Sequence, residues 1–143
     1  MAIYGIGSNW NGYEVKEDFF EKEQIVIGWD KKSANDLYSF ISSLKVGDIV
    51  YLKSNKPGSR DIRIKAIGIV TKDFVGCITS GEYESTNITD WESLFIKVKW
   101  ILKEEFLISI PEDEGKLTNI RAATVYEEYL SYVQNEIISH LFD

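Results

Sequence analysis

A chain of 143 residues with 44% hydrophobic and 13% aromatic side chains is long and apolar enough to bury one core, which excludes a disordered tether. Cys77 is the one cysteine and His140 the one histidine, so an internal disulfide framework and a Cys/His zinc cluster are excluded and neither metal nor cofactor is expected. A formal net charge of -7 argues against a protein that grips long duplex nucleic acid through many phosphates.

Ala2 to Gly7 reads as a short buried strand. Met1 to Asn9 carries neither a basic region nor a long apolar stretch, and no run of about eighteen apolar residues occurs anywhere, so a soluble cytoplasmic protein is expected. Val15 to Glu23 predicts a short helix with Phe19 and Phe20 inward and Glu14, Glu17, Asp18 and Glu21 in water. Gln24 to Trp29 predicts a second strand. Ser33 can cap the next helix together with Asp36, after which Leu37, Phe40, Ile41 and Leu44 fall on one face.

Gly47-Asp48 is a tight-turn dipeptide that launches the β-branched and aromatic strand Ile49 to Ser54. Turn formers from Asn55 to Ser59 then join it to a partner over Ile62 to Thr71. Strict alternation on that partner places Ile62, Ile64, Ala66, Gly68 and Val70 on one face and Arg63, Lys65, Ile67 and Ile69 on the other. Gly68, a glycine inside a strand, marks either a bulge or the close approach of something to the backbone. Gly76 to Thr89 reads as a polar loop. Leu94 to Leu102 alternates cleanly, with Leu94, Ile96, Val98, Trp100 and Leu102 on one face, and Trp100 reads as a core residue.

After the acidic turn Pro111 to Gly115, a long helix is predicted from about Ile120 to Leu141, with Val125, Tyr126, Tyr129, Leu130, Val133, Ile137 and Leu141 as its apolar stripe. No repeat or low-complexity linker interrupts the chain, so residues 1–143 form a single domain in this reading. Strands mixed with a few helices and short connections predict an α+β, barrel-like fold.

Charge is unevenly spread. Lys45 to Lys72 holds seven basic residues (Lys45, Lys53, Lys56, Arg60, Arg63, Lys65, Lys72) against Asp48 and Asp61, a net of +5 in a chain of -7. Such an island suits a small anionic ligand of one or a few nucleotides, and it equally suits a solvated strand face.

Several short motifs occur in a telling order. Tyr4-Gly5-Ile6-Gly7-Ser8-Asn9-Trp10 opens the chain, Ile27-Gly28-Trp29-Asp30 follows, and then come Gly47-Asp48, Tyr51-Leu52-Lys53-Ser54-Asn55, Ile64-Lys65-Ala66-Ile67-Gly68 and Val98-Lys99-Trp100. In that order the pattern resembles the EVE domains of the PUA-like superfamily, over about the first hundred residues. It is similar above all to the EVE-type N-terminal DNA-reading domains of modification-dependent restriction NTPases. Leu52-Lys53 stands where tyrosine-histidine is common in EVE domains. The resemblance implies a PUA-like mixed or antiparallel β-barrel with surrounding helices and a long C-terminal helix.

It also implies a non-catalytic reader that takes a modified nucleobase, modified cytosine in DNA ahead of RNA, into an aromatic pocket. Trp10 and Trp29 would wall the pocket, Asn9, Asp30, Ser54 and Asn55 would contact the base edge, and Lys53, Lys56, Arg60 and Arg63 would lie near the flanking phosphates. No metal takes part, no membrane is involved, and a separate nuclease or NTPase is the expected effector partner. Taken from the residues alone, other roles stay open. Trp10 and Trp29 also suit core packing, Asp30 suits the turn before Ser33, and Asn55 beside Lys56-Pro57-Gly58 suits a turn. A hydrolase is the alternative, because ASCH domains of the same superfamily deacetylate a cytidine with a lysine, a serine or threonine and a glutamate. Lys53 and Ser54 offer two of those types, with Asp30 as the acid. The other alternative is an interaction module with a closed pocket.

Overall fold

The computed structural model describes residues 1–10, 12–26, 35–55, 58–81, 95–114 and 124–142, with the side chains of Trp10 and of residues 35–38 left aside. The strands are β1 (Ile3–Gly7), β2 (Asn9–Trp10), β3 (Tyr13–Glu14), β4 (Gln24–Val26), β5 (Ile49–Ser54), β6 (Asp61–Lys72), β7 (Phe95–Leu102), β8 (Phe106–Ser109) and β9 (Val125–Glu127). The helices are α1 (Lys16–Lys22), α2 (Asn35–Ser43), α3 (Phe74–Thr79) and α4 (Ser131–Phe142). Seven strands form one curled sheet in the order β4-β7-β6-β5-β1-β9, with β8 also paired to β6, while β2 and β3 make a separate hairpin. The fold is mixed α+β and barrel-like, as the alternation of strand and helix patterns requires.

β6 is the spine. β5 lies antiparallel along one edge of it, and β7 followed by β8 lies along the other. β1 runs parallel to β5 with Ile3 opposite Ile49 and Gly7 opposite Lys53. β1, β5, β6 and β9 each feed two cores, one on either side of the sheet. Tyr4, Ile6, Val50, Leu52, Ala66, Val70, Ile96, Val98 and Trp100 pack with Phe19 of α1 and with Ile41 of α2 and Leu44 just beyond it. On the opposite side Ile3, Ile49, Tyr51, Ile62, Ile64 and Ile67 pack against Val133 and Ile137 of α4. Trp100 is a core residue whose indole Nε1 donates to the Phe19 carbonyl at 2.9 Å.

The Gly47-Asp48 turn acts as a staple. Gly47 takes φ +92°, and the Asp48 carboxylate accepts from the Ala2 amide at 3.0 Å and the Lys45 amide at 2.8 Å. Thus one side chain ties the starts of β1 and β5 together.

Four expectations are corrected. Strict alternation along β6 fails at Lys65: Leu52 faces Ala66 while Lys53 faces Ile64, so Lys65 is the extra residue of a β-bulge and Ile62 and Ile64 change cores relative to Ala66 and Val70. Likewise Leu102 leaves the core of Ile96, Val98 and Trp100, because the β6–β7 register shifts between Ile67 and Gly68. Residues 76–79, read as loop, belong to α3, whose N-cap Asp73 accepts from the Gly76 amide at 2.8 Å. The C-terminal helix starts at Ser131, not near Ile120; Val125 to Glu127 is instead β9, antiparallel to β1. The expected cap at Ser33, the end of the second strand beyond Val26, and the expected strand start at Leu94 lie outside the described residues. Among the described residues no helix is long and apolar enough to cross a membrane.

Candidate functional site

Parallel pairing of β1 with β5 decides where the polar residues gather. With Gly7 opposite Lys53, the segment that follows β1 (Ser8, Asn9, Trp10) and the end of β5 (Ser54, Asn55) emerge at the same rim of the sheet. β6 adds Arg63 opposite Ser54, and Gly7 is further tied to the Thr124 carbonyl through its amide at 2.8 Å.

Lys65 is brought into this rim by its bulge. Fully buried Ser8 accepts a hydrogen bond from its Nζ at 3.2 Å, and the Glu14 carboxylate forms an ion pair with the same ammonium. Only 6% of Lys65 is exposed, so Ser8 and Glu14 replace the water that the charge has lost. Burial works to raise the Glu14 carboxyl, but hydrogen bonds from Lys65 and Ser8, with the Lys65 charge, hold it below the ordinary carboxylate range. Glu14 sits on β3, directly opposite Asn9 of β2, so the same ion pair anchors the hairpin that carries Asn9 and Trp10 over the rim. A second anchor is the Lys16–Glu105 pair at 3.0 Å.

Lys53 is the other buried cation. At 7% exposure it lies 5.3 Å from the Tyr126 ring centroid and donates to Asn55 Oδ1 at 3.2 Å. Burial and the nearby Lys65 charge depress its pKa to about 8. Tyr126 is fixed beneath it: its ring rests against Gly5, where a Cβ would come within 2.5 Å of the ring, and its hydroxyl meets that of Tyr51 at 2.9 Å. Tyr51 donates its one proton to Glu128 Oε1 at 2.8 Å, so the Tyr126 hydroxyl is the donor of the pair. Burial, then the Tyr126 and Glu128 neighbours, push the Tyr51 hydroxyl well above its ordinary value. Tyr51 is fully buried in this layer, so it walls no pocket.

The expected site residues fare differently. Asn9, Lys53, Ser54 and Asn55 meet at one rim, with Trp10 placed there by its backbone pairing to Tyr13. The Asn9 side-chain oxygen accepts from the Gly12 amide at 2.9 Å and shapes the hairpin turn, while Asn55 holds Lys53. Arg63 is exposed and lines an open groove of about 280 Å³ with Glu105, Phe106 and Leu107. Arg60 is a clamp: Nε donates to the Ile110 carbonyl at 3.0 Å and Nη2 to the Pro111 carbonyl at 2.7 Å, which fastens the end of β8. Trp29, Asp30 and Lys56 lie outside the described residues.

Ser8, Glu14, Lys65 and Tyr126 were not among the expected site residues. A lysine between Ile64 and Ala66 was a signal, because a charge inside an aliphatic strand needs a partner. Glu14 gave none, since it sits in an acidic run that reads as a helix face. Among the described residues no group of three His, Cys, Asp or Glu side chains is placed to hold a metal ion. Lys53 and Lys65 near one another, with the Ser8 hydroxyl and the Asn55 amide beside them, suit an acceptor-rich or anionic ligand.

Comparison with models of protein families gives no match, and comparison with curated proteins gives none.

Proposed function

We propose that this chain is a non-catalytic reader of a modified nucleobase, built on a PUA-like, EVE-type fold, acting in the cytoplasm on DNA ahead of RNA and working with a separate effector nuclease or NTPase. The observation that carries this is the shared rim of β1 and β5, where Asn9, Lys53, Ser54 and Asn55 gather beside the Lys65–Glu14–Ser8 cluster. A base needs fixed donors at its edge and aromatic faces on either side. Lys53 and Lys65 supply donors, and Trp10 and Trp29 are the proposed faces, with Asp30 at the base edge and Lys56 and Arg63 toward the phosphates.

Tryptophan fluorescence titration with short oligonucleotides bearing methylated, hydroxymethylated or unmodified cytosine tests this. One stacking face is worth about 1–3 kcal/mol, so Trp10→Ala and Trp29→Ala should each weaken binding of the preferred oligonucleotide roughly 5- to 150-fold. An equal response to all oligonucleotides, unchanged by both substitutions, would remove the aromatic pocket.

The hydrolase alternative has one observation in its favour, the lysine, serine and glutamate brought together as Lys65, Ser8 and Glu14. Lys65, however, faces a carboxylate and donates to the Ser8 oxygen, so it is placed as a cation and not as the base that would take the Ser8 proton. Release of acetate from acetylated cytidine in the same samples would reverse this preference.

A further inference from the structure

Pairing across three strands carries the rim outward into the groove that Arg63 lines. Ser54 of β5 lies opposite Arg63 of β6, and Arg63 lies opposite Leu107 of β8. Residues opposed in an antiparallel ladder put their side chains on the same face, so Ser54, Arg63 and Leu107 form one row, and all three are exposed. Two strand spacings separate its ends, roughly 10 Å at about 4.8 Å each. Leu107 is 58% exposed although the stem of an arginine stands beside it. Phe106 is turned to the other face, where it pairs with Ile64 and its ring stacks on His140 with centroids 3.8 Å apart. Leu107 is therefore the apolar side chain that the row offers.

Charge ties the groove to the Lys65 cluster as well. Glu105, its acidic wall, pairs with Lys16 at 3.0 Å, and the Lys16 amide donates to Glu14 Oε2 at 3.3 Å. The hydrogen bond from Lys16 holds the Glu105 carboxyl below the ordinary carboxylate range, and the Lys16, Arg63 and Lys65 charges act in the same sense. A single exposed leucine is ordinary. A leucine opposed to a guanidinium, in a groove of about 280 Å³ that begins at the rim, matches the two parts of a nucleotide, a charged phosphate and a flat base face.

We propose that the Arg63–Leu107 groove is a subsite for the nucleotide that flanks the read base, with its phosphate on the Arg63 guanidinium and its base face against Leu107. The identity of the occupant rests on the proposed function; the row of Ser54, Arg63 and Leu107 does not. Its volume lies near the lower end of small-molecule pockets, about 300 Å³, so the groove takes one nucleotide and not a longer run. The protein accordingly reads a base together with one neighbour, and a lone modified nucleoside binds more weakly than the same base in a trinucleotide.

The test is tryptophan fluorescence titration of the full chain with nucleosides and trinucleotides that carry methylated, hydroxymethylated or unmodified cytosine, the trinucleotides with that cytosine in the middle. The readout is the ratio of trinucleotide to nucleoside affinity in the wild type, Arg63→Gln and Leu107→Ser, with thermal melting to verify that all three are folded. Arg63→Gln should cut the ratio roughly tenfold and lower the slope of log affinity against log salt by about 0.7, the value for one phosphate of a single strand. Leu107→Ser should cut it roughly fivefold with the slope unmoved, because it removes apolar contact and no charge. Ratios unchanged in both folded variants overturn the groove as a nucleotide subsite. A wild type that binds modified and unmodified trinucleotides equally, with both variants weaker, overturns the base-reading function and leaves the groove standing. A wild type that binds no trinucleotide overturns both.

Discussion

Gly68→Ala should destabilise the protein by at least about 2–3 kcal/mol, and Gly68→Val should prevent folding. Gly68 lies in the middle of β6 opposite Trp100, and a Cβ built there would meet Val98 Cγ1 at 2.5 Å, the Lys99 carbonyl oxygen at 2.9 Å and Trp100 Cε3 at 2.9 Å. Two of these three atoms belong to core side chains and the third to the backbone of the partner strand, so relief requires β7 to move away from β6. Overpacking of a dense core costs about 1–3 kcal/mol even where side chains alone must yield. The register shift between Ile67 and Gly68 is the local device that brings the strands this close. Urea unfolding of Gly68→Ala, Val98→Ala and the double variant checks the cause. Val98→Ala removes the nearest atom, so the double variant should lose about 1 kcal/mol less than the two single losses added together. It should not recover fully, because the Lys99 carbonyl remains. Simple additivity would mean that the close approach is not what excludes a side chain at this position.

Lys53→Met should make the protein more stable at pH 7, by roughly 2–3 kcal/mol, and the gain should vanish by about pH 10.5. Burial, then the Lys65 charge, lower the Lys53 pKa to about 8 from an ordinary 10.5. Between those two values the unfolded chain binds the proton and the folded chain releases it, so unfolding takes up a proton and stability rises with pH across that window. Below about pH 8 both states carry the charge, and the full cost of burying it, roughly 3 kcal/mol for a shift of this size, is present. Methionine fills a similar volume without a charge and lacks this dependence. Urea midpoints of wild type and variant at pH 7, 8.5 and 10 should therefore converge as the pH rises. A variant less stable than wild type at pH 7, or a constant gap, would show that Asn55 and the Tyr126 face more than offset the burial. A cation kept where it weakens the fold is the expected mark of a position that serves a ligand.

Sequence patterns carried the large elements and lost the small ones for identifiable reasons. β5 announces itself as a β-branched and aromatic run behind the Gly47-Asp48 turn, β7 by its alternation from Phe95 to Leu102, and α2 because Phe40, Ile41 and Leu44 keep helical spacing. A two-residue strand such as Asn9–Trp10 has no period to detect, and β8 is hidden because Phe106 to Ile110 is a short apolar run without alternation. Val125, Tyr126, Tyr129, Leu130 and Val133 fit a helical stripe, yet pairing with β1 captures Val125 to Glu127 and leaves Tyr129 exposed. Tertiary pairing overrides local periodicity there.

The candidate site divides in the same way. Asn9, Ser54 and Asn55 were legible as polar residues at strand ends, whereas Lys53 lies inside β5 and is buried. Lys65 showed only as a charge inside an aliphatic strand, because no spacing records the bulge that aims it, and Glu14 was hidden in an acidic run that reads as a helix face.

That a modified base is read at the rim where β1 and β5 end is tested most directly by mapping amide chemical shifts of the full chain during titration with one short duplex, in modified and unmodified forms. Differences between the two duplexes should concentrate at Ser8, Asn9, Lys53, Ser54, Asn55 and Lys65. Indistinguishable maps from the two duplexes, or differences that fall away from these residues, would contradict the assignment.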